Sequence, residues 1–188
     1  MIAGGGHSSA QIHLCLFVAF PLKMSDGISH LKQEIQSVFQ TCQENSLLKI
    51  EQICSKYLFK SSFEQKESKL IKEFFCRIFV EDETNEAKQK FILNLVKREL
   101  SFRGELKTID DFHSYFQTLY NVFQIKELQQ RIEISGDLFL EILELCIPVI
   151  ILHLKGSLTF ESKLKIIFIC KTIHLVVSTN QLQITEFR

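Results

Sequence analysis

Residues 24–42 read MSDGISHLKQEIQSVFQTC. Within them Ile28, Leu31, Ile35, Val38, Phe39 and Cys42 recur at steps of three and four. That period puts all six on one side of a helix with 3.6 residues per turn and leaves the charged residues on the other. Ser25 and Asp26 stand just before, where a short side-chain oxygen accepts the free amides of a helix start. The stretch predicts an amphipathic helix over residues 26–43.

The same reading repeats along the chain. Asn45 and Ser46 break and recap it, and Leu47, Ile50, Ile53, Cys54, Tyr57 and Leu58 predict a second helix over 46–60. Ser62 with Gln65 three residues on fits a capping box; Phe63, Leu70, Ile71, Phe74, Phe75, Ile78 and Phe79 then form a third apolar face. The acidic residues 81–83 end that helix and begin a fourth, over 84–101, which buries Ala87, Phe91, Leu95, Val96 and Leu100 before a stop at Gly104. Thr108, Asp110 and Asp111 mark a fifth start, followed by Ile109, Phe112, Phe116, Leu119, Tyr120 and Phe123. Leu128 and Ile132 extend this face or open a short helix. Ser135, Gly136 and Asp137 precede a helix over 138–154, and Gly156 separates it from the last, over 159–177. These two are apolar around most of their circumference, the pattern expected of buried helices. Pro148 predicts a kink in the first of them, since it removes a backbone donor and crowds the preceding turn.

Composition agrees with an all-α chain. Among 188 residues there are two prolines and seven glycines, little material for tight turns. Lys and Arg total 22, as do Asp and Glu, so the chain lacks the basic excess that phosphate affinity requires. Nucleic acid is therefore not an expected partner. The six cysteines form no CxxC pair and sit among apolar residues, which fits small buried side chains in a reducing, intracellular compartment, cytoplasm or nucleus. Residues 14–20, LCLFVAF, look like the apolar part of a signal peptide, but no Lys or Arg precedes them and no small-x-small site follows cleanly. They are also too short to span a bilayer, and Glu141, Glu144, Pro148 and His153 argue against a span over 138–154. The expected organisation is an N-terminal extension over 1–24, one helical domain over 25–178 and a tail over 179–188.

Helices of 15–20 residues with breaks near 26, 46, 62, 84, 108, 137 and 159 give about seven antiparallel helices at roughly 40 residues per pair. This cadence, over residues 25–178, resembles that of HEAT- and armadillo-type α-solenoids, although no repeated consensus accompanies it. An irregular helical bundle has the same breaks. A solenoid that ended with the two most apolar helices would lack the polar outer cap such stacks need. Either these helices are central to a globular bundle, or the chain continues in a longer form or pairs with a partner; the second is the expectation.

Candidate chemistry reduces to structure at each place. Cys146 and His153 on one helix, with Cys170 and His174 on the next, offer a Cys2His2 set, but structural zinc prefers short loop knuckles and these four suit a buried stripe. Cys170 and His174 as a nucleophile pair would need an accessible, activated thiol; Ile166, Ile167, Phe168 and Ile169 predict a desolvated one. Asp110, Asp111 and His113 suggest acid–base work, yet aspartates at a helix start have a capping role. No phosphate loop, nucleophile elbow or HExxH motif occurs. The chain thus reads as a non-enzymatic protein-binding or scaffold domain with no catalytic, cofactor or metal site. A compact bundle holding an apolar ligand or lipid between its last helices is the alternative. Interface hot spots favour Tyr and Arg, so Tyr57, Arg98, Arg103, Tyr115 and Tyr120 are the candidate partner-binding residues.

Overall fold

The computed structural model describes residues 26–59, 65–81, 85–101, 106–179 and 182–183. The extension over 1–24, the Ser62 cap, the Gly104 stop and most of the tail lie outside the described residues. Those described form an all-α protein: α1 (Asp26–Gln40), α2 (Gln43–Ile53), α3 (Gln65–Cys76), α4 (Glu86–Leu100), α5 (Ile109–Phe123), α6 (Lys126–Gln129), α7 (Gly136–Lys155) and α8 (Phe160–Ser178). The helix starts and stops fall within a few residues of those expected, and the short α6 is the helix that Leu128 opens. The one β feature among the described residues is a two-residue parallel pairing, Ile134 with Leu182 and Ser135 with Gln183.

Packing follows the apolar stripes. The helices α1 and α3 pack on each other, as do α2 and α4, so the first helix of each pair meets the first of the next and the second meets the second. The centre of the later half is α5, which packs on α4, α6, α7 and, most extensively, α8. Phe74, Phe75, Phe112, Phe116 and Phe139 are the largest fully buried side chains, and Phe74 meets Phe75 edge to face at 5.2 Å between ring centroids. Ala87, expected inside, is exposed, and Ile92 takes the buried position on α4.

Two helices end in a π-helical turn: α2 runs into Cys54–Leu58 and α3 into Arg77–Glu81. A helix end leaves carbonyls without intrahelical donors, and buried ones must find partners elsewhere. Here side chains from later helices supply them. Asn121 Nδ2 donates to the Leu58 carbonyl (3.0 Å) and the Thr118 hydroxyl to that of Phe59 (2.8 Å). Gln89 Nε2 donates to Ile78 O (2.9 Å), and the Tyr115 hydroxyl to Leu100 O (3.2 Å) at the end of α4. These bonds fix where one helix end meets the side of another, which apolar contact alone leaves free to slide.

The start of α5 is a capping box. Thr108 Oγ1 accepts the Asp111 amide (3.2 Å), while Asp111 Oδ2 accepts the Thr108 amide (2.8 Å), the Thr108 hydroxyl (2.7 Å) and the Lys107 amide (3.1 Å). These bonds, with Lys107 nearby, hold the Asp111 carboxyl below the usual carboxylate range. Thr159 caps α8 similarly, accepting the Ser162 amide.

Candidate interaction surface

The last two long helices depart from the expectation that they are buried. On α7 the buried positions are Gly136, Phe139, Ile142 and Cys146; on α8 they are Ile166, Ile169, Thr172 and Val176. Each set is a single stripe at helical spacing, and each faces the core through α5. Much of the remaining circumference is also apolar, and among the described residues a large part of it is exposed. Of the twelve large hydrophobic side chains exposed among the described residues, ten belong to this region: Leu140, Leu145, Ile147, Ile151, Leu152, Leu154, Phe160, Leu164, Ile167 and Val177. The remaining two, Leu48 and Val80, lie on other elements, as isolated surface hydrophobes usually do.

The exposure has a simple geometric cause. Helices α7 and α8 follow one another in the chain, but α8 docks on α5 and α7 docks on α5 and on the paired segments 134–135 and 182–183, with little direct packing between the two helices. One neighbour covers one stripe, so the rest of each helix stays outside. Between Cys146 and Ile166 no residue is buried. Pro148 stands at the point where α7 leaves the core; the helix continues through it to Lys155. Leu152, beyond the proline, is 70% exposed and Phe160, at the start of α8, 76%.

Between α5 and α8 lies an open groove of about 610 Å³ that includes Tyr120, Cys170, Lys171 and His174 in its lining. Cys170 is exposed there, not desolvated as expected, because it stands one position round from Ile169, the residue that faces the core. Cys42 is likewise exposed, whereas Cys54 and Cys146 are buried. Burial, then the nearby Glu51, pushes the Cys54 thiol up to about 12; burial, then Cys170, pushes Cys146 up to about 11. None of the five described cysteines is in a disulfide. His153 turns its Nδ1 back to the Val149 carbonyl (3.1 Å), and among the described residues no three His, Cys, Asp or Glu side chains gather as a ligand set.

The Asp110, Asp111 and His113 group is divided among structural tasks. Asp111 makes the capping box. Asp110 pairs with Lys165 of α8 (2.6 Å), which also bonds Glu161. His113 packs against the Phe168 ring at 5.1 Å, and burial, then Lys165, lowers its pKa against the opposing pull of Asp110. Together with the edge-on contact of Tyr120 and Phe168 (5.3 Å), these residues form the α5–α8 seam.

The tyrosine and arginine candidates are scattered. Tyr57 and Tyr115 are buried, which corrects their assignment to the surface: each ring lies in the core, and the hydroxyls reach Glu34 (3.4 Å) and Leu100 O respectively. Tyr120 is half-buried in the seam, Arg98 is exposed and pairs with Glu51 (3.2 Å), and Arg103 lies outside the described residues. Residue type alone picked amphipathic side chains that the core had already used. The signal that does lead to the surface is the excess of Leu, Ile and Val over 138–177, more apolar surface than one neighbouring helix can cover. Among the described residues no helix is long and apolar enough to cross a membrane. Comparison of the chain with protein-family models, with curated proteins and with solved structures finds no match.

Proposed function

We propose that this chain is a non-enzymatic protein-binding module, a subunit or segment of a larger intracellular assembly, that takes its partner on the outer face of α7 and α8. The observation that carries this reading is the concentration there of ten of the twelve exposed large apolar side chains. A patch of that kind costs solubility when left open and marks a contact surface in most folded proteins. The stacking of α1 on α3 and α2 on α4 favours a solenoid-like arrangement of helical pairs, in which a terminal pair presents its face to whatever follows. The balanced charge favours a protein over nucleic acid. The alternative, an apolar ligand or lipid, would use the α5–α8 groove. That groove is open and its lining includes Lys171 and His174, so it gives an acyl chain little enclosure.

The test compares the full chain with a variant carrying Ile147→Ser, Ile151→Ser, Leu152→Ser and Phe160→Ser, each tagged and purified from extract of the source cells. A protein held at near-equal stoichiometry by the native chain and at least tenfold less by the variant is the expected result. Equal retention by both removes the α7–α8 face as the binding surface.

A further inference from the structure

The apolar pattern of α7 is symmetric in part about Ile147, with Leu140 and Leu154 seven residues to either side and Leu143 and Ile151 four. Leu140, Ile147, Ile151 and Leu154 are spaced by seven, four and three, so they form one line along the helix, with Ile147 midway between the two leucines. All four are exposed. The line does not stop at the core: half-buried Leu143 and Ile150 flank it on the inner side and complete the three-and-four spacing by which two helices pair over several turns.

The charges along α7 are sorted by sign. Asp137, Glu141 and Glu144 all precede Ile147, and Lys155 follows it, as does His153. Asp137 and Lys155 are eighteen residues apart, five full turns, and thus lie on one edge of the apolar line; Glu144, seven residues from Asp137, lies on that edge too. A second copy laid antiparallel about Ile147 sets Leu140 opposite the partner's Leu154. The same placement turns the acidic edge of each helix towards the lysine of the other and opposes the two helix dipoles favourably. A parallel partner would face acid with acid.

We infer that α7 pairs with α7 of a second copy of this chain, antiparallel and two-fold symmetric, centred on Ile147. The inference rests on the reading of this face as a protein-binding surface and gives that surface its occupant. A bilayer fits less well, because the acidic residues along α7 oppose an anionic membrane.

The test is sedimentation velocity of the full chain from about 1 to 200 µM, a range that spans weak and strong association. A shift from one chain to two with rising concentration is expected, and Ile147→Asp, at the centre of the pairing, abolishes it. Two further variants are made, one with Asp137→Lys and Glu144→Lys, the other with Lys155→Glu. Each alone associates at least tenfold more weakly, since like charges now face each other. An equimolar mixture of the two regains the affinity of the native chain, because each acidic edge again meets a basic one. The changed residues are exposed, and unaltered far-UV circular dichroism excludes misfolding as the cause of a loss. One chain at every concentration overturns the inference, and so does a dimer indifferent to the charge changes. Sedimentation with vesicles of phosphatidylcholine and phosphatidylserine in place of self-association overturns it as well. A monomer that still captures a different protein through Ile147, Ile151, Leu152 and Phe160 overturns this pairing and leaves the protein-binding reading standing.

Discussion

Thr118 and Asn121 stand on the inner side of α5, where an aliphatic side chain would pack more simply. Their worth lies in what they satisfy: the carbonyls of Phe59 and Leu58, at the end of a π-helical turn, accept from the Thr118 hydroxyl and the Asn121 amide. Thr118→Val or Asn121→Leu keeps the volume and removes the donor. Each is expected to lower the unfolding free energy by about 1–3 kcal/mol, the cost of a buried acceptor left alone. The double variant should lose less than the sum, because the two carbonyls are neighbours; urea titration followed by circular dichroism measures both. His113 gives a second expectation at this scale. Its folded pKa is lowered by burial and Lys165, so the unfolded chain binds the proton more readily than the folded one. The stability this supplies is complete above the unfolded value of about 6.5 and is lost as the pH falls through it towards the folded value. His113→Gln should flatten that part of the profile, seen as a smaller drop in melting temperature between pH 7 and pH 5, taken as roughly the span of an unperturbed histidine titration.

Helix α7 is one element with two environments. Its first half is held by Phe139, Ile142 and Cys146, whereas its second half has no fully buried residue and only Val149 and Ile150 partly packed against the core. Pro148 adds to the contrast, since it has no amide proton to give the Glu144 carbonyl one turn back. The far half is therefore expected to open locally before the core does. In dilute solution, amides of residues 149–155 should exchange faster than those of residues 138–146. Pro148→Ala should restore the missing bond and slow exchange beyond it by about tenfold to a hundredfold, the scale of the propensity difference between the two residues. Global stability in urea should change little, because no fully buried residue lies in that half.

At the scale of the molecule, the first four helices build a stack in which each stripe is covered, and α5 gathers the rest. Among the described residues the exposed large apolar side chains collect on α7 and α8. The four serine substitutions on α7 and α8 should leave the urea midpoint almost unchanged, within about 0.5 kcal/mol per site as surface changes usually do. They should nevertheless reduce binding of an apolar fluorescent dye several-fold. A large loss of stability would mean that these side chains belong to the fold of the single chain and not to a contact with another.

Much of this protein is legible in the order of its residues. The three- and four-residue recurrence from Ile28 to Cys42, and its repeats, placed nearly every long helix, because a helix is a local structure whose apolar period is written in adjacent turns. Thr108 and Asp111 announced the start of α5 for the same reason: a cap and its amides lie within four residues. The sequence also marked residues 138–177 as more apolar than the end of a helical stack would be. What it did not contain was which helix covers which. Whether Tyr57 reaches solvent or the core, whether Cys170 is exposed, and whether Ile147 has a neighbour all depend on contacts between residues far apart in the chain. Only the docking of α8 on α5, and of α7 on α5 and the paired segments 134–135 and 182–183, decided that one stripe of each is buried and the rest stays at the surface, since a neighbour covers only the side it touches.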